Sequence, residues 1–74
     1  MRAQLVGRKD CHLCSEAAAA LRSLGTAVEE LDVDADPELF RLYDFRVPVL
    51  LIDGRVVGEG RLTEASLRSL LARG

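Results

Sequence analysis

Apolar residues recur along the chain with two different periods, and the changes of period predict its elements. A short apolar run over residues 3–7 predicts a first strand. From residue 11 to residue 24, apolar positions recur in steps of three and four, which predicts an amphipathic helix that Gly25 would end. Apolar residues that alternate with aspartates then predict a half-buried second strand within residues 27–34.

The second half of the chain predicts a helix, a hairpin and a final helix. Asp36-Pro37-Glu38 is typical of a helix start, because it supplies a capping acceptor, a proline at the first helical position and an early acid. The continuous apolar run over residues 47–52 predicts a strand covered on both faces. Asp53-Gly54 predicts a tight turn into a partner strand over residues 55–57, and Thr63 predicts the cap of the last helix.

This order of elements, β-α-β-α-β-β-α, predicts an α/β fold. A helix between the first two strands requires those strands to be parallel, whereas the last two strands form an antiparallel hairpin. The natural packing is a four-stranded mixed sheet with helices on both faces. The 74 residues leave room for a single domain, which we expect to span residues 1–74.

Composition and charge mainly exclude certain classes of function. The formal net charge of −2 gives no general electrostatic attraction to nucleic acid or to an anionic membrane. No apolar run is long enough for a signal peptide or a membrane span. We therefore expect a cytoplasmic protein. In that compartment a structural disulfide is unusual, and a Cys-x-x-Cys pair indicates redox chemistry or metal binding.

The chain has two cysteines, Cys11 and Cys14, and they lie at the predicted start of the first helix. They could form a redox pair, contribute to a metal site, or be two small core residues. A structural zinc needs about four ligands, and nearby only His12 could join the cysteines. We therefore expect no metal site within one chain, whereas an iron–sulfur cluster shared between two chains stays open.

Three segments of the chain resemble the glutaredoxin-like family of the thioredoxin-fold superfamily, in its compact Cys-His-Leu-Cys form. They are Arg8-Lys-Asp-Cys-His-Leu-Cys14, Arg46-Val-Pro48 and Ile52-Asp-Gly-Arg-Val-Val-Gly58, and they follow the family's order. The resemblance covers essentially the whole chain. It implies a thioredoxin fold, a redox-active dithiol and a cis Val47–Pro48 bond beside the cysteines. The backbone of Val47 would then be free to pair with an extended substrate.

The expected chemistry is thiol–disulfide exchange, which needs an attacking thiolate and a second thiol within reach. Cys11 is the predicted nucleophile, because unpaired N–H groups at a helix start stabilise a thiolate. Cys14, one turn further on, is the predicted resolving thiol. Arg8, Lys9 and His12 are candidates for tuning the Cys11 thiolate, and Asp10 would act against it. His12 could equally be an exposed polar residue, and the alternative for Arg8 and Lys9 is ordinary surface.

Arg46, Val47 and Pro48 are predicted to bind substrate beside the cysteines. Gly58 and Glu59 are predicted to complete that surface. Ordinary glutaredoxins have a second glycine where this chain has Glu59. The Glu59 carboxylate would repel anionic glutathione, and its side chain would hinder close approach. The sequence therefore supports dithiol activity better than glutathione specificity.

The sequence predicts a small thiol–disulfide oxidoreductase that serves cell redox homeostasis and electron transfer. We expect a monomer without a bound cofactor or metal, acting on a disulfide-containing protein or on a small thiol substrate. Glutathione or a thioredoxin-type reductant would supply its electrons, and neither nucleic acid nor membrane would be a partner. The alternative is a non-catalytic thioredoxin-fold module that binds a protein partner, or a metal or iron–sulfur site between subunits.

Overall fold

The computed structural model has the predicted order of elements, with one additional 3₁₀ turn. It describes residues 1–73, so Gly74, the last residue of the predicted domain, lies outside the described residues. The strands are β1 (Ala3–Gly7), β2 (Glu29–Asp32), β3 (Val49–Ile52) and β4 (Arg55–Glu59). The helices are α1 (His12–Ser23), α2 (Pro37–Tyr43) and α3 (Glu64–Arg73), and the 3₁₀ turn spans Val33–Ala35.

The four strands form one mixed sheet in the order β2-β1-β3-β4. β1 and β2 are parallel, as the helix between them requires, and β3 is antiparallel to both β1 and β4. The hairpin turn uses Asp53 and Gly54, whose φ angles of 51° and 82° are the positive values that a type I′ turn needs. Since β1 and β3 are neighbouring antiparallel strands, the residues that follow β1 lie beside the residues that precede β3.

Helices cover both faces of the sheet, as predicted. All four residues of β3 are buried, because alternate side chains enter two different hydrophobic clusters. The first cluster joins the sheet to α1 and α3, and its buried members are Ala3, Leu5, Ala17, Ala18, Leu21, Leu50, Ile52, Leu62 and Leu67. The second joins the sheet to the 3₁₀ turn and α2, and its buried members are Val6, Val33, Tyr43, Val49 and Leu51.

The second strand is shorter than predicted. It ends at Asp32, because the Asp32 carboxylate accepts a hydrogen bond of 2.9 Å from the Asp34 N–H and starts the 3₁₀ turn. Val33 is nevertheless fully buried. Asp36 caps α2 as predicted, accepting hydrogen bonds from the N–H groups of Glu38 and Leu39. β4 extends to residue 59, two residues beyond the predicted strand.

Candidate active site

The two cysteines lie where β1 ends and α1 begins. The turn between these elements places Asp10 in the left-handed conformation, with φ of 58°, which aspartate tolerates better than most residues. Cys11 is the N-cap residue of α1, and its Sγ accepts a hydrogen bond of 3.2 Å from the Cys14 N–H. A backbone donor that has no partner within the helix is therefore directed at the Cys11 sulfur.

Cys11 and Cys14 form a disulfide, and their Cα atoms are 5.2 Å apart. Cys14 is buried, with 7% of its surface exposed, whereas Cys11 is only partly buried. Solvent and an incoming reactant can therefore reach the first sulfur more easily than the second. This difference in exposure is what a nucleophile and a resolving thiol require.

Gly7, the last residue of β1, allows Cys14 to pack directly on the strand. A Cβ at this position would lie 3.2 Å from the Cys14 Cβ and 3.4 Å from its Sγ. Carbon atoms in ordinary contact are about 3.5–4.0 Å apart, so a side chain here would displace the second cysteine. Gly7 was not among the predicted site residues, because a strand pattern does not reveal which residue lies above each position.

Pro48 comes immediately before β3, the strand next to the one that the cysteine motif follows. The Val47–Pro48 peptide bond is cis, as the resemblance implied. Val6 pairs with Val49 in the sheet, and continuation of this register places Pro48 opposite Gly7. Within residues 1–73, neither the N–H nor the C=O of Val47 has a hydrogen-bond partner. The backbone before the proline is thus available to another extended chain.

Arg8, a predicted tuning residue, binds two carboxylates. Its guanidinium donates to the Asp34 carboxylate at 2.8 and 2.9 Å, to the Asp44 carboxylate, and to the Asp44 main-chain oxygen at 3.2 Å. Hydrogen bonding to these acids raises the pKa of Arg8, and the same contact lowers the pKa of Asp34. Arg8 therefore joins the cysteine loop to the segment that precedes β3, and its positive charge is shared by two acids, which leaves the cluster with one excess negative charge.

The other two predicted tuning residues, Lys9 and His12, are exposed. The His12 Nε2 lies 2.7 Å from the Glu16 carboxylate, and the imidazole is 87% exposed. An ion pair as exposed as this contributes little to stability. Lys9 takes part in none of the ion pairs that residues 1–73 form. Lys9, which lies two residues before Cys11, therefore has no acidic ion-pair partner among these residues.

Arg46 and Glu59, both predicted to bind substrate, bind each other. Two parallel hydrogen bonds of 3.0 and 2.7 Å join the guanidinium to the carboxylate, and each side chain is 43% exposed. The guanidinium also lies over the Tyr43 ring, 5.3 Å from its centroid. Hydrogen bonding to Arg46 lowers the pKa of Glu59. The two charges that flank Pro48 therefore cancel each other.

The family model of the glutaredoxin-like domain (DUF836) matches residues 2–72. This chain belongs to that glutaredoxin-like family. The glutaredoxin-like chain also resembles a solved structural-genomics target, XcR50, from X. campestris, with 34% identity over 97% of each chain and a TM-score of 0.87. No curated protein is significantly similar to it in sequence.

Two further solved structures place this glutaredoxin-like domain among thioredoxin-like folds. The thioredoxin-like protein BC3987 is 30% identical, the alignment covers 93% of this chain and 99% of that one, and the TM-score is 0.73. Thioredoxin 1 from Thermosipho africanus is 15% identical over 99% of this chain and 92% of its own, with a TM-score of 0.64. The second likeness concerns the fold alone.

Gly58, a further predicted substrate-binding residue of the glutaredoxin-like domain, lies against the last helix. A Cβ at this position would lie 3.0 Å from the Leu70 Cδ1 and 3.1 Å from the Leu62 Cδ2. The structure therefore shows a packing reason for glycine here. Gly60, two residues later, donates its N–H to the Pro48 carbonyl at 2.9 Å and joins the end of β4 to the proline.

A surface cavity of about 370 Å³ opens between α1 and the edge strand β2 of the glutaredoxin-like domain. Cys14 and Arg8 line this cavity, whereas Cys11 and Pro48 do not. The cavity therefore adjoins the buried cysteine and not the partly buried one.

Residues 1–73 contain no group of three or more His, Cys, Asp or Glu side chains that is placed to hold a metal ion. Over the same residues, none of the helices combines the length and the apolar character that a membrane crossing requires.

Proposed function

We propose that this glutaredoxin-like domain is a thiol–disulfide oxidoreductase, with Cys11 as nucleophile and Cys14 as resolving thiol. The main support is the Cys11–Cys14 disulfide itself, formed at a helix start beside a cis-proline. The two cysteines also differ in exposure, since Cys14 is buried and Cys11 is only partly buried.

The proposed reaction begins with the reduced pair. The Cys11 thiolate attacks one sulfur of a substrate disulfide, forms a mixed disulfide and expels one substrate thiolate, which takes a proton from water. Cys14 then loses its proton and attacks the Cys11 Sγ. The mixed disulfide breaks, the second substrate thiolate leaves, and the Cys11–Cys14 disulfide forms. Two electrons have passed to the substrate, and an external thiol reductant returns them to the pair.

The N-terminus of α1 favours the first step. The Cys14 N–H already donates to the Cys11 sulfur at 3.2 Å, and a helix N-terminus carries partial positive charge that stabilises a thiolate. Lys9 adds a cation nearby, whereas the charge of Arg8 is shared by Asp34 and Asp44. Asp10, between Lys9 and Cys11, carries the opposite charge to Lys9, so we assign the larger electrostatic contribution to the helix.

Serine variants of the two cysteines test this assignment. We expect Cys11→Ser to abolish the catalysed part of disulfide reduction, measured above the direct reaction of dithiothreitol with the substrate. Reduced Cys14→Ser, freed of dithiothreitol and mixed with the substrate disulfide, should complete the first step and accumulate a mixed disulfide, which intact-mass spectrometry would detect as the added mass of one substrate half. Ser15→Ala changes an exposed residue in the same helical turn and should leave turnover unchanged.

Wild-type turnover by Cys11→Ser would contradict the assigned nucleophile. If the wild-type protein does not turn over any disulfide, metal analysis after anaerobic purification becomes decisive. Bound iron or zinc at roughly half an equivalent per chain would then favour a site shared between subunits.

Measuring the reduction potential of the Cys11–Cys14 pair would indicate which reductant supplies its electrons. A value near the glutathione poise, about −220 to −260 mV, would favour glutathione, and a value near −270 mV or lower, roughly that of thioredoxin, would favour a thioredoxin-type reductant.

A further inference from the structure

Phe45 is the most exposed large hydrophobic side chain among residues 1–73. Its side chain lies in the turn between α2 and β3, three residues before Pro48, and 98% of its surface is accessible to solvent. An aromatic ring in water forgoes the stabilisation that burial would give. The ring belongs to neither hydrophobic cluster, so the case for a partner depends on what lies next to it.

The backbone on both sides of Phe45 is fixed. Arg8 binds the carboxylate and the main-chain oxygen of Asp44. On the other side, the Arg46 N–H donates to the Tyr43 carbonyl at 2.9 Å, and the Arg46 side chain is held by Glu59. The ring is therefore presented by a well-anchored turn, which reduces the entropy that a partner must remove on binding.

Phe45 lies at the same end of the sheet as Cys11, on a rim formed by the β1–α1 turn and the segment that precedes β3. Arg8, three residues before Cys11, contacts the residue immediately before Phe45. Val47, two residues after Phe45, has the free backbone N–H and C=O described above. An extended polypeptide that pairs with Val47 while its disulfide meets Cys11 would pass beside the Phe45 ring.

The two arginines near the ring are already paired with acids. Arg8 binds two aspartates, so that cluster keeps an excess negative charge, and Arg46 binds Glu59. Neither arginine therefore offers an unpaired positive charge that would attract an acidic substrate side chain. A small disulfide, moreover, offers neither a strand to pair with Val47 nor a side chain to cover the ring.

We propose that Phe45 determines specificity for polypeptide disulfides, by contacting an apolar side chain a few residues from the substrate cysteine. This inference rests on the proposed function and narrows its substrate class. The substrate is an extended segment that carries the disulfide and an aliphatic or aromatic neighbour. Phe45 makes contact with substrate but takes no part in the transfer of electrons.

The test compares three disulfides in the dithiothreitol-driven assay. They are bis(2-hydroxyethyl) disulfide, a ten-residue peptide disulfide with leucines flanking the cysteine, and the same peptide with glycines in their place. Phe45→Ala should lower kcat/KM about tenfold for the leucine peptide, mainly through KM. It should leave the small disulfide unchanged and have little effect on the glycine peptide. Phe40→Ala, which removes another exposed phenylalanine from α2, should change none of the three.

A binding measurement separates this inference from the proposed function. Fluorescence anisotropy with the leucine peptide, its cysteine replaced by serine, reports recognition without chemistry. A weakening by Phe45→Ala would support the contact even if no disulfide were reduced, in which case the proposed function alone would fail.

Three outcomes would overturn the inference. The first is equal binding and equal kcat/KM of Phe45→Ala and wild type on the leucine peptide. The second is a loss by Phe45→Ala that is as large on the small disulfide. The third is a wild-type dimer in sedimentation that Phe45→Ala dissociates, since the ring would then bind a second copy of the chain.

Discussion

Replacing Gly7 with alanine tests how closely the buried cysteine packs on the sheet. The new Cβ would lie 3.2 Å from the Cys14 Cβ and 3.4 Å from the Cys14 Sγ. The carbon–carbon distance is a few tenths of an ångström shorter than ordinary contacts, whereas the distance to sulfur is at the lower limit of the ordinary range, so the first turn of α1 has to move by a few tenths of an ångström. Overpacking of this kind costs about 1–3 kcal/mol. Since the displacement is small, we expect the free energy of unfolding of the oxidised protein to fall by about 1–2 kcal/mol.

The two redox states should not be affected equally. In the oxidised protein the Cys14 sulfur is bonded to Cys11 and cannot turn away from residue 7. In the reduced protein the Cys14 side chain is not held by Cys11 and can shift to relieve the close carbon–carbon contact in part. If this relief is about 0.5–1 kcal/mol, the reduction potential of Gly7→Ala rises by about 10–20 mV, because about 1.4 kcal/mol corresponds to 30 mV for a two-electron couple.

Urea unfolding of both redox states and a redox titration would measure these shifts. Gly25→Ala is the matched control, because Gly25 has φ of 72° and a Cβ added there would meet no atom of a non-neighbouring residue within 4 Å. It should lose about 1–2 kcal/mol through the left-handed backbone alone, equally in both states, with no change of potential. A Gly7→Ala protein as stable as wild type, or one with a lower potential, would refute the close packing of Cys14.

Three further predictions concern the core and the two ion pairs. Leu50→Ala should reduce the free energy of unfolding by about 2–5 kcal/mol in urea titrations, because Leu50 is fully buried. Glu59→Gln leaves Arg46 unpaired. It should therefore raise kcat/KM for anionic glutathione disulfide relative to neutral bis(2-hydroxyethyl) disulfide, and added salt should cancel the gain. An unchanged ratio of these two kcat/KM values would contradict this. Arg8 lowers the pKa of Asp34 in the folded protein. Their contact therefore stabilises the protein fully at pH values above the unfolded aspartate pKa of about 3.9. This stabilisation is lost as the pH falls through the pKa of Asp34 in the folded protein, which is lower. In acid titrations of stability, Arg8→Gln should therefore be less stable than wild type at neutral pH and approach it below about pH 4, and an undiminished gap in acid would argue against the pair.

Elements whose signals are local were predictable from the sequence. Asp36 caps α2, and Asp53-Gly54 forms the hairpin turn, because each depends on residues within a few positions. The end of β2 was predicted too late. The Asp32 side chain competes with the strand ladder for the Asp34 N–H, and a pattern of alternating residues gives no indication of which partner wins.

The candidate site likewise has some features that the sequence predicted and others that it did not. The Cys11–Cys14 pair and the cis bond before Pro48 were expected from the motifs and the family resemblance. The partners of Arg8 were not predicted, since Asp34 and Asp44 are 26 and 36 residues away. Such pairings depend on the sheet order, which determines the loops that meet. The exposure of Phe45 likewise follows from the assembled fold, because its own sequence neighbourhood is equally compatible with a buried ring.

The two hydrophobic clusters on opposite faces of the sheet imply unequal resistance to local opening. The smaller cluster depends on α2, which has seven residues and is too short to persist alone. Its backbone amides should exchange with deuterium sooner than those of α1, which packs on the larger cluster. Local opening of α2 would then leave the helix that holds Cys14 in place. The geometry of the cysteine pair would therefore be preserved while the opposite face of the sheet opens and closes.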